Sequence, residues 1–103
     1  MLYPALPSDP GYAIWKRDFT GATGLFSVEL KPYSRTQLAA MLDHYEHFGL
    51  GYSWGGFESL AVPKRPEDYR SATRWDCEGT VIRLQIGLED VEDLKTDLSR
   101  GLG

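Results

Sequence analysis

The stretch TVIRLQI, Thr80–Ile86, is the clearest strand in the chain, because apolar residues recur in it at every second position. One face of this strand carries the apolar residues Ile82, Leu84 and Ile86. The opposite face carries Val81, Arg83 and Gln85. Side chains of a strand point alternately to the two faces of a sheet, so the segment predicts one buried face and one face that holds a charged residue.

Neighbouring segments extend the sheet around this strand. LFSVELK, Leu25–Lys31, alternates in the same way and predicts a second half-buried strand, which Pro32 ends. Two shorter strands are expected on either side of the glycine pair in SWGG, at Leu50–Ser53 and Glu58–Ala61. Together these segments predict a small sheet with several antiparallel connections.

Two helices with clear start signals are also expected. Ser34 is a suitable N-cap, and Gln37 follows it in the capping-box position. This helix is expected to reach Phe48 and to end at Gly49, since apolar residues recur along one face. They are Leu38, Met41, Leu42, Tyr45 and Phe48. The last helix is expected to begin after Asp90, with Val91, Leu94, Leu98 and Leu102 on one face.

These elements predict an α+β domain, a small and mostly antiparallel sheet with helices packed on one face. The whole chain, residues 1–103, is expected to form one domain. Residues 1–24 predict an N-terminal arm with a short helical or irregular piece at Ala13–Phe19, and residues 25–103 predict the α/β layer. The polar segment Pro63–Gly79 is long for a connection in so small a domain, and its role stays open.

Composition excludes several classes of protein. The chain is 42% hydrophobic and 13% aromatic, which is ample for a packed core. A net charge of −4 and the lack of any Lys/Arg run disfavour nucleic acid and anionic membranes as partners. No apolar run approaches the roughly 20 residues that span a bilayer, and no signal peptide is evident, so we expect a soluble, cytoplasmic domain.

Arg83 is the first candidate for a binding residue. It lies in the middle of a strand, on the face opposite the apolar one. A solvent-facing arginine is the commoner explanation of such a position. The functional interpretation is an anion clamp, because a guanidinium offers two parallel N–H groups that match a carboxylate and a central strand holds them rigidly.

The segment Ser53-Trp54-Gly55-Gly56 is the second candidate. It could form a tight turn whose tryptophan fills the core. It could instead present a hydroxyl, an indole N–H and unobstructed backbone amides to a ligand. Composition does not separate these two interpretations.

Metal binding and nucleophilic chemistry are not expected from this chain. His44 and His47 are three residues apart on the expected helix, but they lack a third ligand nearby, so a solvated helix face is the better interpretation. Cys77, the single cysteine, lies beside Asp76 and Glu78, whose charges disfavour its thiolate. We expect no catalytic, cofactor-binding or metal-binding residue in this chain.

Three separated motifs, in order, carry a resemblance to a known family. They are WKRDFTGATGLFSVEL (Trp15–Leu30), YSWGGFESL (Tyr52–Leu60) and TVIRLQIGLEDVEDLKTDL (Thr80–Leu98). This pattern resembles the C-terminal domain of the Cys/Met-metabolism pyridoxal-phosphate (PLP) enzymes, which have fold type I. Pro63–Gly79 matches least. The tryptophan of SWGG resembles the bacterial cystathionine β-lyase branch, since many γ-acting members have leucine there.

The resemblance implies roles for named residues. Arg83 would bind the α-carboxylate of an amino-acid thioether substrate, Ser53 and Trp54 would line the same pocket, and Tyr52 would be close by. It also implies PLP as the cofactor of the full-length enzyme, C–S β-elimination of L-cystathionine as the reaction, and a homo-oligomer, usually a tetramer.

The lysines depart from this pattern. None of Lys16, Lys31, Lys64 and Lys95 has the sequence context of a Schiff-base lysine, and no phosphate-binding glycine motif is present. The resemblance therefore implies a missing N-terminal PLP domain, so this chain alone should bind no PLP and be inactive. The alternative is a free-standing α+β domain that binds an amino acid or mediates an interaction without catalysis.

Overall fold

The computed structural model describes residues 1–69, 71–72 and 79–102 of the chain. Within these ranges four strands form one sheet: β1 Leu25–Leu30, β2 Gly49–Leu50, β3 Leu60–Lys64 and β4 Thr80–Gln85. The helices in the described residues are α1 Tyr12–Asp18, α2 Arg35–Asp43 and α3 Val91–Leu102, and a 3₁₀ turn lies at Pro66–Asp68. Cys77 and the acids beside it lie outside the described residues.

The sheet has the order β1-β4-β3-β2, with β4 in its centre. Strand β4 runs antiparallel to both β1 and β3, and the short β2 runs parallel to β3. Arg83 of β4 lies between Ser27 of β1 and Val62 of β3 in this register. The prediction of a small, mostly antiparallel α+β sheet is confirmed, with one parallel pairing at its edge.

The hydrophobic core lies on the face of β4 that sequence alternation indicates. Ile82 and Leu84 are buried there together with Ala61 of β3. Helices α2 and α3 cover this face and contribute three further buried side chains: Met41, Leu42 and Leu94. Helices α2 and α3 therefore occupy one side of the sheet, and the candidate site described below lies on the other side.

The N-terminal arm is tied to the sheet instead of being loose. Leu2 pairs with Ser27 through backbone hydrogen bonds and adds a short bridge beside β1. The Tyr3 hydroxyl donates to the Thr23 carbonyl, and its ring lies 5.4 Å from that of Phe26. Helix α1 falls in the stretch expected to be helical or irregular, and begins one residue earlier.

Helix α2 begins as predicted and ends earlier than predicted. Ser34 and Gln37 form the complete capping box. The helix stops at Asp43 instead of continuing to Phe48. The reason is a distant carboxylate: Asp97 of α3 accepts hydrogen bonds from the backbone amides of residues 46, 47 and 48, which turn outward from the helix to reach it.

The expected strands beside SWGG are wrong in their bounds. The first is only Gly49–Leu50 and the second runs later, from Leu60 to Lys64. Residues 51–59 form a loop, and several of its backbone groups bond to side chains of β4 and of the segment after β4. The start of α3 is as expected, since the Asp90 carboxylate accepts from the amides of Glu92 and Asp93.

Candidate functional site

The candidate site is the 51–59 loop together with the face of β4 turned away from the helices. Arg83 projects from the middle of this face, is half-buried, and donates from Nη2 to the Tyr52 carbonyl oxygen. It lines a hollow of about 570 Å³ together with other polar and apolar residues. They are Leu2, Ser27, Lys64, Pro66, Tyr69 and Val81. The loop therefore fixes one edge of the guanidinium, and this bond sets the orientation of the whole guanidinium plane.

A second cation lies in the same hollow. The Lys64 ammonium sits 4.8 Å from the centre of the Tyr52 ring, at cation–π distance. Within residues 1–69, 71–72 and 79–102, no carboxylate lies within 4.0 Å of either Arg83 or Lys64. Two positive charges without a described counter-charge favour an anionic ligand on this face.

Gln85 holds the middle of the loop. Its Oε1 accepts from the Gly55 amide at 3.1 Å, and its Nε2 donates to the Gly56 carbonyl at 3.0 Å. Gly55 has a φ of +83°, a conformation that glycine adopts without the penalty a side chain would bring. The glycine pair thus serves a sharp turn of the main chain above the sheet.

The end of the loop is fixed by Ser59, which is buried. Its hydroxyl donates to Glu89 Oε2 at 2.6 Å and accepts from the Gly87 amide at 2.8 Å, while its own amide donates to Glu89 Oε1. These Ser59 hydroxyl and amide bonds hold the pKa of Glu89 below its usual range. Gly87 lies so close that a Cβ there would collide with the backbone of Phe57.

The aromatic residues of the loop point to solvent. Tyr52, Trp54 and Phe57 are 72%, 64% and 69% exposed. The interpretation of Trp54 as a core residue is therefore wrong. Large exposed aromatic side chains grouped on one loop are characteristic of surfaces that meet a ligand or a partner.

The four sequence-predicted site residues are brought together only in part. Arg83 contacts the backbone of Tyr52 directly, and Ser53 and Trp54 follow on the same loop over the same face of the sheet. Trp54, however, lines a separate hollow of about 270 Å³, beside Gln85 and Gly24. The guanidinium and the indole thus line two different hollows, which have no lining residue in common.

The other residues considered in the sequence lie elsewhere. His44 is at the C-terminal end of α2, and His47 is in the turn held by Asp97; both are exposed. His47 is thus outside the helix in which it was expected. No group of three or more metal-ligating side chains occurs in the part of the chain that the structure describes.

The residues present do not fit PLP. A lysine that carries this cofactor must meet it in an enclosed site with phosphate-binding groups. Here Lys16 and Lys64 lie over tyrosine rings, Lys95 pairs with Glu92, and Lys31 is exposed. No step through the cofactor is assigned to this chain.

Sequence reasoning missed four residues that organise the site: Lys64, Gln85, Ser59 and Glu89. Gln85 carried a signal, because it is a polar residue on the same strand face as Arg83. Ser59 and Glu89 carried none, since their pairing across 30 residues depends on the path of the chain. Lys64 lay in a strand that was expected to end at Ala61.

Comparison with solved structures identifies the class of protein first. The chain superposes on cystathionine γ-synthase from Xanthomonas oryzae pv. oryzae, solved in complex with aminoacrylate and cysteine, with a TM-score of 0.75 and 32% identity. The match covers 97% of this chain and 27% of that one. This is an α+β portion of the fold-type I PLP-dependent enzymes, as the resemblance implied.

The sequence then gives the family. The family model for the Cys/Met metabolism PLP-dependent enzymes matches residues 1–103, so the chain belongs to this family. It is 50% identical to cystathionine β-lyase MetC of Escherichia coli K12 over 96% of the chain. It is also 47% identical to the L-alanine/L-glutamate racemase of Wolbachia pipientis wMel over 99% of the chain. The chain spans about a quarter, 26%, of the length of each of these relatives.

In the described residues, no helix combines the length and the apolar character needed to cross a membrane.

Proposed function

We propose that this chain is the C-terminal, substrate-carboxylate-binding domain of a PLP-dependent cystathionine β-lyase. The complete enzyme would cleave L-cystathionine by β-elimination to homocysteine, pyruvate and ammonia. Relatives named as cystathionine β-lyases support the reaction, and the chain's 26% share of their length supports a larger enzyme around it. The remainder of that enzyme would supply the cofactor site that the residues of this chain do not fit.

The observation that carries the proposal is the setting of Arg83. Its Nη2 is oriented by the Tyr52 carbonyl, it lines an open hollow, and no described carboxylate neutralises it. A guanidinium held in this way keeps N–H groups available for a bidentate carboxylate. Holding the carboxylate fixes the orientation of the bonds at the substrate's α-carbon, and such positioning lowers the barrier of the reaction.

The exposed loop aromatics support a pocket that is completed from outside this chain. Ser53 and Trp54 would form one wall of the substrate pocket, and Tyr52 would connect that wall to Arg83. A free-standing amino-acid-binding domain would need to bury its ligand with its own residues, whereas Tyr52, Trp54 and Phe57 here are mostly exposed. The enzymatic interpretation therefore has more support than the free-standing one.

The test is Arg83→Ala in the complete enzyme, assayed for pyruvate release from L-cystathionine. We expect kcat/KM to fall by at least ~100-fold, which corresponds to about 3 kcal/mol, because the carboxylate loses its charged partner in a desolvated site. Arg65→Ala is the matched control, since Arg65 is exposed and pairs only with Glu67 and Asp68 among described residues. An unchanged kcat/KM in Arg83→Ala would remove the assignment.

A racemase is the second candidate, because the Wolbachia relative is nearly as similar as the E. coli lyase. A carboxylate clamp serves both reactions, since both act on the α-carbon of an amino acid. The two are separated by incubating the complete enzyme with L-cystathionine, L-alanine and L-glutamate. Pyruvate from L-cystathionine supports the lyase, whereas D-alanine or D-glutamate without pyruvate supports the racemase.

A further inference from the structure

Gln85 stands out among the polar residues of the sheet because it is buried without being part of the core. It is 4% exposed and lies two positions after Arg83, on the same face of β4. Burying a side-chain amide is unfavourable unless its donors and acceptor are bonded. The partners that satisfy Gln85 are therefore informative about its role.

Those partners belong chiefly to the loop. The Oε1 atom accepts from the Gly55 amide at 3.1 Å, and Nε2 donates to the Gly56 carbonyl at 3.0 Å and to the Ile86 carbonyl at 3.0 Å. One side chain thus bonds both a donor and an acceptor of the same turn. A primary amide supplies both functions at one end, which a carboxylate or an ammonium does not.

The turn needs such a support. Two consecutive glycines have more conformational freedom than any other pair, and Gly55 adopts a φ of +83°. Packing does not hold the preceding residue in place, because Trp54 is 64% exposed. A Cβ added at Gly55 or Gly56 would meet nothing within 4 Å, so the turn itself also stands clear of neighbouring atoms.

We propose that Gln85 is the positioning residue of the substrate pocket. Its side chain holds Ser53 and Trp54 at a fixed place relative to Arg83. This inference rests on the proposed function. Both supports project from the same face of β4: Arg83 bonds the loop at Tyr52, and Gln85 bonds it at the glycine pair. A rigid strand thereby fixes both the cation and the wall beside it.

The expected effect on catalysis depends on the step that includes the free-energy cost of ordering the loop. Without Gln85, the substrate would have to order the loop when it binds, and this loss applies equally to the ground state and the transition state. A uniform loss of binding raises KM and leaves kcat unchanged. We expect a KM increase of about tenfold, the size of one or two lost hydrogen bonds.

The experiment compares Gln85→Met with Gln37→Met in the complete enzyme. Methionine has nearly the length of glutamine and cannot bond the turn. Gln37 also bonds backbone, in the capping box of α2, and is remote from the loop. Two quantities are measured, the hydrogen-exchange rate of the Gly55 amide and the kinetic constants for L-cystathionine. Gln85→Asn, whose amide is too short to reach the loop, serves if the methionine variant does not fold.

The expected result is Gly55 exchange at least ~10-fold faster, KM about tenfold higher and kcat within about twofold, with Gln37→Met unchanged in all three. Unchanged Gly55 exchange would overturn the inference. Faster exchange with unaltered KM would also overturn it, because the position of the loop would then not matter to the substrate. If the unmodified enzyme does not process amino acids, the proposed function fails, and the exchange rates still report separately on the Gln85 support.

Discussion

The two faces of β4 differ in how completely other parts of the chain cover them. On the helix-covered face, Ile82 and Leu84 are surrounded by side chains of the chain itself. On the other face, Arg83 lines an open hollow, and the loop above it exposes three aromatic rings. One face is thus a packed core, and the other face carries an open hollow. The alternation of side chains along this single strand therefore places the packed core on one face and the candidate site on the other.

The polar groups of the two faces differ in the same way. Asp97, on α3, is 1% exposed and accepts from three backbone amides. No buried side-chain nitrogen or oxygen lacks a hydrogen-bond partner among the described residues. Arg83 and Lys64, in contrast, have no described carboxylate within reach, and we interpret this as provision for a ligand's charge.

The largest expected effect contrasts two adjacent residues of β4. Ile82→Ala should lower the free energy of unfolding by about 3 kcal/mol, because it leaves a cavity among buried neighbours. Arg83→Ala should lower it by less than about 1 kcal/mol, because its side chain is half-buried beside an open hollow. Urea unfolding followed by circular dichroism measures both. Equal losses of unfolding free energy would mean that the two faces of β4 do not differ in their contribution to stability.

Asp97 gives the next effect, through the turn that ends α2. Asp97→Asn should lower the free energy of unfolding at pH 7 by about 2 kcal/mol. The asparagine NH₂ group is itself a donor, so backbone N–H groups that donate to the Asp97 carboxylate would lose an acceptor. Asp93→Asn on the same helix is the control, since Asp93 is exposed. A loss of similar size in the control would assign the effect to helix charge instead of to the turn.

The same residue predicts acid sensitivity with a definite sign. Burial raises the pKa of Asp97, but the bonds from residues 46, 48 and 47 outweigh burial, and the pKa is lower than usual. A carboxylate with a lowered folded-state pKa stabilises the fold above its unfolded-state pKa, near pH 4, and loses that contribution as pH falls further. The stability difference between wild type and Asp97→Asn should therefore shrink below about pH 4. A difference that is constant from pH 7 to pH 3 would contradict this assignment.

Local patterns in the sequence predicted the elements, and long-range pairs set their ends. Alternation identified β4 and β1, and the capping box identified the start of α2. The end of α2 depends on Asp97, about 50 residues away in sequence, and no local pattern contains that information.

The candidate site shows the same limit. Strand alternation is enough to single out Arg83, but the interpretation of Arg83 as a carboxylate clamp rests on the family resemblance. Gln85 and Ser59 act through bonds to backbone groups about 30 residues away, so their role emerges only when the loop is folded over the sheet. Polar residues that support a loop are difficult to predict because their partners are main-chain atoms, which every residue possesses.

The smallest expected effect concerns the largest side chain of the loop. Trp54→Ala should change the free energy of unfolding by no more than about 0.5 kcal/mol, because an exposed indole loses little on truncation. Phe48→Ala is the matched control, a buried aromatic packed 5.6 Å from the Tyr45 ring, which should lose about 3 kcal/mol.

The small expected effect of Trp54→Ala on stability is informative when it is compared with the effect of the same variant on catalysis. If the loop face is a substrate pocket completed by the rest of the enzyme, Trp54→Ala in the complete protein should still reduce kcat/KM about tenfold, since a ligand buries the indole that solvent reaches here. Steady-state kinetics with L-cystathionine measure this. A Trp54→Ala variant that matches wild type in both stability and kcat/KM would separate Trp54 from Arg83 and leave the hollow that Trp54 lines without a role in binding.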